Sequence, residues 1–325
     1  MIYSRRTRLV ILTIGLSVHA WLLDPAAAED FSVRKRGDVL DVEIDGHPFT
    51  SYLQADLAKP ILYPVLGPHD IPMTRNWPMK KGVPGEATDH PHQKSIWFTH
   101  GSVNGVDFWT ENRKSGRIVQ TELLRADGGK DAAVIETANE WRDSAGKVLL
   151  SDKRLLRFSL ASGVRAIDYR IELIASHGKV VFGDTKEGGM GIRTRTELQL
   201  KGGSKEVPAK GHSLNSEGVR DGAVWGKRAN WIDYWAEIDG HTVGVAIFDH
   251  PDNPRHPTWW HARDYGLISA NPFGIHDFEP GQQDHAGDIE IPEGKSIVLR
   301  YRFLFHEGDA EKASIANLYE EYSKD

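Results

Sequence analysis

The stretch "IDYRIEL" (167–173) puts Ile167, Tyr169, Ile171 and Leu173 on one side of an extended chain and Asp168, Arg170 and Glu172 on the other. Successive side chains of a strand point to opposite faces. This period of two therefore predicts a strand with one face buried and one in water. The pattern recurs. Leu40, Val42 and Ile44 alternate with Asp41 and Glu43, Val243, Val245 and Ile247 repeat the spacing, and Ile297, Leu299, Tyr301, Phe303 and Phe305 carry it near the end. "DIEIPEGKSIVLRYRFLF" (288–305) predicts two strands joined by a Pro-Glu-Gly turn, and "ANEWRDSAGKVLLSDKRLLRFSL" (138–160) a hairpin with Ser-Ala-Gly at its tip. Helical periodicity is confined to the C-terminus, where Asp309 is the candidate N-cap and Ile315, Leu318, Tyr319 and Tyr322 share a face. Many strands separated by Gly, Pro and Asp turns predict an all-β fold. The expectation is a large antiparallel β-sandwich with a short C-terminal helix, and not βαβ units.

The chain opens with the pattern of a cleavable leader. Arg5, Arg6 and Arg8 precede an apolar run over 9–23, and Ala26, Ala27 and Ala28 supply small residues before Glu29. The run falls short of the roughly 20 residues a spanning helix needs. The expectation is a signal peptide over 1–28, cut between Ala28 and Glu29, and a periplasmic or secreted product with no membrane attachment after cleavage. The absence of cysteine excludes a disulfide framework and leaves stability to the core. The net charge of −6 includes the leader's three arginines, so the remainder is more acidic. That balance, with no long basic run, argues against a nucleic-acid partner. No linker, charge block or repeat divides residues 29–325, which read as one domain.

Polar and aromatic chemistry gathers in three places. "DHPHQKSIWFTHGSVNGVDFW" (89–109) puts His90 and His92 on one face of an extended chain, a workable pair of imidazole metal ligands if a third histidine joins them. The plainer reading is one histidine donating to a backbone carbonyl and another exposed. Asn104-Gly105 reads as a tight turn with Asp107 capping local N–H groups, and Trp97 and Trp109 as core. "FGDTKEGGMGIRT" (182–194) crowds Asp184, Lys186, Glu187 and Arg193 around three glycines. Its spacing excludes a nucleotide loop. It is either a β-bulge with surface charges or a flexible backbone holding an acid or base of shifted pKa. The third cluster, "NSEGVRDGAVWGKRANWIDYW" (215–235) with "DHPDNPRHPTWWHARDYGLISANPFGIHDF" (249–278), is proline-rich and reads largely as ordered loop. Trp231, Trp235, Trp259 and Trp260 are expected to divide between core and pocket wall.

Over nearly all of 39–306 the chain resembles the PmoA-type domain family, often labelled "methane oxygenase PmoA". The likeness rests on "KPILYPVLGP", "TRNWPM", "DHPHQKSIWFTHGSVNGVDFW", "DTKEGGMGIRT", "NSEG", "WGKRANWIDY" and "HPDNPRHPTWWHARDYGLISANPFG". Gln93, Lys94 and Ser95 depart from the family pattern, which has histidine, arginine and glycine there. A methane-oxygenase subunit belongs to a membrane complex with several spanning helices, and this chain offers none after its leader. The reaction is therefore not read from the label. The resemblance instead implies a secreted β-supersandwich similar to galactose mutarotases and related sugar enzymes.

Together these readings predict a carbohydrate-active enzyme, a hydrolase, lyase or epimerase, working on a glycoside or oxidised sugar by acid–base chemistry. His92 and His261 are the candidate general acids, and Glu187 or Glu217 the base or nucleophile. Arg193 and Arg263 would hold a sugar carboxylate or developing negative charge. His90, His100, Asp184, Lys186, Asn215, Asp264, Asn271, His276 and Trp259 complete the candidate substrate-binding set. The expected partner is a small-molecule or oligosaccharide substrate. No organic cofactor is implied, and a divalent metal on His90 and His92 is the possible addition. The alternative to an enzyme is a glycan-binding module using the same aromatic surface.

Overall fold

The computed structural model describes residues 30–324 and Ile2, so that, Ile2 apart, the expected leader and its cleavage point lie outside the described residues. Two eight-stranded antiparallel sheets form the body. The first runs, edge to edge, through Phe31–Arg36, Val39–Ile44, His47–Leu53, Ile61–Val65, Ile96–His100, Gly188–Arg193, Leu267–Asn271 and Trp259–Ala262. The second runs through His212–Asn215, Trp231–Ile238, His241–Asp249, Ser296–Glu307, Val164–Ile174, Val148–Ala161, Ala132–Arg142 and Arg117–Asp127. No helix among the described residues is long and apolar enough to cross a membrane.

The 167–173 alternation behaves as its period demands. Its strand lies within the second sheet, paired with Ser296–Glu307 on one side and Val148–Ala161 on the other, and Ile167, Tyr169, Ile171 and Leu173 are buried. Those inward residues meet the inner face of the first sheet, with Phe98, Met190, Ile192 and Ile268 in one continuous core. Phe49 of the first sheet packs edge-on against Phe158 and Phe305 of the second, each at 6.1 Å between ring centroids. The sandwich is closed by apolar burial across these two faces.

The two strands joined by the Pro-Glu-Gly turn both form as expected, Ile289–Ile291 pairing with Val180–Phe182 and Ser296–Glu307 lying in the second sheet. The turn is held by Ala175, whose carbonyl accepts from Gly294 and whose N–H donates to Lys295. One local expectation needs correction. At the C-terminus the helix is Ile315–Tyr322, with Ser314 at its N-cap. Asp309 caps the turn before it, its Oδ1 accepting from Lys312 N at 2.9 Å. The anticipated face of Ile315, Leu318, Tyr319 and Tyr322 is buried, against Phe248 and Leu304 on the outside of the second sheet.

An ion pair lies inside the sandwich. Asp152 and Arg154 are fully buried, with Arg154 Nη2 at 2.9 Å from Asp152 Oδ2. Asn139 and Trp141 donate to the same carboxylate, at 2.6 and 2.7 Å, and Arg154 donates to Tyr169 Oη at 3.3 Å. A buried carboxylate with every lone pair engaged is tolerable, and one stripped of its cation is not. Arg154→Met is therefore expected to cost about 3–5 kcal/mol of stability in urea unfolding, and a loss under about 1 kcal/mol would contradict this account.

Candidate functional site

The outer face of the first sheet, turned away from the main core, gathers several of the candidate residues. Across it runs a register row of His261, Ser269, Gly191, Trp97 and Ile61 on neighbouring strands. Trp97 and Ile61 belong to a small second core with Trp109 and Leu267. A Cβ at Gly191 would lie 2.8 Å from the Trp97 ring, so glycine is what lets the indole lie flat on the sheet. Two expected loop residues, His261 and Asn271, are in fact on strands, Trp259–Ala262 and Leu267–Asn271, that extend this sheet at its edge.

Gly188 and Gly189 bend their strand. Gly189 has φ +89, and a Cβ there would meet the Ala270 carbonyl oxygen at 1.9 Å. The bend turns the Gly188 carbonyl toward Ser269, whose hydroxyl donates to it at 2.6 Å, and carries Lys186 toward His261. The glycine cluster is thus both the bend and the presenter of charged groups.

The 89–95 loop closes the other side. Arg75 and Arg193 are both fully buried, and both bond Asp89 Oδ1, Arg75 through Nη1 at 2.5 Å and Arg193 through Nη2 at 3.1 Å. Arg193 also donates to Gln93 Oε1. Gln93 thus serves as an acceptor for a buried cation. Ser95 has φ +54, a left-handed backbone that favours glycine. Lys94 is tied to Glu111, which Lys59 also contacts. The loop presents His90, with Nδ1 at 2.8 Å from Asp89 Oδ2 and its ring stacked on Tyr265 at 5.1 Å. Beneath Tyr265 lies the Arg193 guanidinium, 4.5 Å from the ring, and Arg263 lies 5.7 Å away.

His261 Nδ1 is 2.8 Å from the Lys186 carbonyl, which only an N–H can satisfy, so Nε2 carries the free lone pair. Burial drives this imidazole down to about 4, the bond to Lys186 opposing it and Arg263 adding to it. His92 is also pushed down to about 4 by burial and then by Lys59 and His90. Both are neutral near pH 7. Glu187 moves the other way. Burial raises its carboxyl above the usual range, against Lys186, with Asp277 raising it further and His90 and Arg263 lowering it. Among the described residues no hydrogen bond or ion pair engages its carboxylate, and none engages the Arg263 guanidinium.

His90, His92, Lys186, Glu187, Arg193, His261 and Arg263 are therefore brought to one face. Of these, Arg193 is buried and holds the loop, and Lys186 pairs with Asp277 at 3.2 Å. The other candidates lie apart. Glu217 is exposed on a turn beyond His212–Asn215, an edge strand of the second sheet, and Asn215 is spent accepting from the Glu217 and Val219 amides of that turn. His100 points into the sandwich between Phe182 and Phe273, bonded to the Gly183 carbonyl. Asp184 and His276 pair with each other at 2.8 Å under the 183–187 segment. Asn271 bridges Thr185 O and Phe273 N. Trp259 is buried beneath Arg228 with its indole bonded to Glu279, and Asp264 faces Lys201. Tyr265 is the partly exposed aromatic that sequence reasoning missed. Its signal was the four-residue turn Arg263-Asp264-Tyr265-Gly266, which joins two short strands. No third ligand joins His90 and His92 among the described residues, and their rings meet at 77° with centroids 5.7 Å apart.

A family model matches residues 39–320. The chain belongs to DUF6807, a family of unknown function. No curated protein matches the sequence. Among solved structures, this DUF6807 chain is similar to a galactose mutarotase related enzyme from Lactobacillus acidophilus, at 11% identity and a TM-score of 0.38, covering 85% of this chain and 97% of the other. It is also similar to the GH36 α-galactosidase AgaA from Geobacillus stearothermophilus, at 12% identity and a TM-score of 0.41, covering 87% of this chain and 42% of the galactosidase.

The geometry sets two expectations. Gly189→Ala forces a left-handed alanine into a carbonyl and should disrupt the face, seen as lost protection of the 186–193 amides in hydrogen exchange. Unchanged protection would refute the role given to the bend. The pH response follows from His92, His100 and His261, each at about 4 in the folded chain against roughly 6.5 unfolded. The unfolded chain binds the extra protons between those values, so stability is full above about pH 6.5 and falls as pH drops toward 4. His306, raised despite burial because it pairs with Asp233, opposes this in part. His261→Gln should flatten the pH dependence of the urea midpoint, and an unchanged slope would contradict the assignment.

Proposed function

We propose that this protein is a carbohydrate-active enzyme that moves a proton on a carboxylate-bearing sugar, in an epimerase or lyase type of reaction. The observation that carries the reading is the pairing of Glu187 and Arg263, a carboxyl and a guanidinium within electrostatic reach of each other and both without a bonded partner. A protein that only needed them for structure would have joined them to something. Arg263 supplies the anion clamp and Glu187 the proton donor, its affinity for the proton raised by burial. Neutral His261, oriented by its bond to Lys186, offers Nε2 as the acceptor. His90, stacked on Tyr265, offers its outer ring face as the flat surface on which a sugar ring would rest.

The same inventory argues against glycoside hydrolysis. That reaction needs two carboxyl groups flanking the bond, and the neighbouring Asp277 already accepts from Lys186 through both backbone and side chain. One acid, one base and one cation suffice for epimerisation or elimination. A glycan-binding module remains the second reading, favoured by the partly exposed Tyr265 with two guanidiniums beside it.

The test is turnover of a panel of uronic-acid sugars and their neutral analogues. Glu187→Gln is expected to lower kcat by about 10²–10⁴-fold. Arg263→Ala should raise KM for the carboxylated sugar alone. In the wild type, the rate should be lost below about pH 4 as His261 protonates and should fall again at higher pH as Glu187, raised by burial above the usual carboxylate range, ionises. Undiminished turnover in both variants would remove these roles. Calorimetric binding of the same sugars without product would favour the binding module.

A further inference from the structure

His69, His241 and Glu307 come from three remote parts of the chain and meet at the surface, away from the Glu187 face. Their ligand-type atoms all lie within 4.8 Å of one another, and they are the one such group of three among the described residues. The His69 and His241 rings stack at 3.8 Å, and His69 Nε2 contacts Glu307 Oε1. All three side chains are exposed.

The arrangement is built, not incidental. His69 and Asp70 both adopt left-handed backbone, at φ 57 and 55, which non-glycine residues seldom hold. Arg165 of the second sheet clamps that turn, donating to the Leu66 and Gly67 carbonyls at 3.1 and 2.6 Å and pairing with Asp70 at 3.2 Å. On the other side, Glu307 is registered against Val243, two residues along from His241, and Gly308 N donates to Thr242 O at 2.8 Å. The histidine on the 68–70 turn follows a strand of the first sheet, while His241 and Glu307 belong to the second. A ligand held by all three would tie the sheets together at this edge.

We propose that His69, His241 and Glu307 bind a divalent ion of the zinc class, with the remaining coordination position open to solvent. Two imidazoles and one carboxylate are an accepted ligand set for zinc, and soft-donor or all-oxygen ions are poorly served by it. Tetrahedral zinc, with bonds of roughly 2.0–2.2 Å, spaces its ligand atoms about 3.4 Å apart. Exposed side chains reach that by small rotations. This site is distinct from the His90 and His92 pair suggested by the sequence.

The experiment is titration of zinc chloride into the full chain, stripped beforehand with chelator, near pH 7.5. Saturation at one equivalent with a matching rise in Tm is expected. His69→Ala and Glu307→Gln, both surface changes that leave the core intact, should each weaken binding at least tenfold and abolish the Tm rise. His90→Ala/His92→Ala should bind like the wild type. Absence of saturable binding, binding that survives His69→Ala, or loss of the ion in the His90/His92 variant would each overturn the site.

Discussion

Two buried guanidiniums on one carboxylate hold the working face together. Arg75 and Arg193 converge on Asp89, and neither arginine has any exposure through which water could solvate it. Their charge is offset by that carboxylate and by carbonyls of the loop itself, since Arg75 also reaches Ala87, Asp89, His90 and Gln93 oxygens at 3.1–3.4 Å. Leaving a buried cation without these acceptors would be strongly unfavourable, so the loop has little freedom to lift from the sheet. Its position in turn sets His90 on Tyr265, and Tyr265 over Arg193.

The opposite border of the face depends on backbone rather than charge. Glycine at 189 lets the strand turn out of the sheet plane where any side chain would strike Ala270, and only then can the Lys186 carbonyl meet His261. One bond consequently decides which nitrogen of His261 keeps its lone pair. Burial decides the rest: it suppresses the charged form of every group, which lowers a histidine and raises a carboxyl. The same effect leaves His92 and His261 neutral near pH 7 and raises the Glu187 carboxyl above its usual range.

The two sheets also share out their polar interior unevenly. Asp152 and Arg154 form a bonded pair in the apolar core, and Asp233 and His306 form a buried pair on the other side of the second sheet, with the imidazole 2.8 Å from the carboxylate. These pairs hold strands in register and are inaccessible to a ligand. By contrast, Glu187 and Arg263 are left unbonded at the rim of the outer face, and polar groups left without partners mark where a structure expects another molecule.

Alternation at 167–173 and 297–305 determined the strands, because the side chain period of two is a local property of an extended backbone and burial follows from it directly. The short helix face of Ile315, Leu318, Tyr319 and Tyr322, the Asn104-Gly105 turn and the buried Trp97 and Trp109 were legible for the same local reasons. Pairing was not. The Pro-Glu-Gly stretch joins strands of different sheets, and the proline-rich 249–278 segment hides two strands, since neither partner choice nor register is encoded within one segment. For the face itself, residue types at 90, 187, 261 and 263 were readable, and their convergence was not. Which histidines are neutral, which arginine is spent on the loop, and that Glu217, Asn215 and His100 lie elsewhere all depend on burial and on neighbours distant in the chain. Only the folded arrangement of the two sheets supplies those.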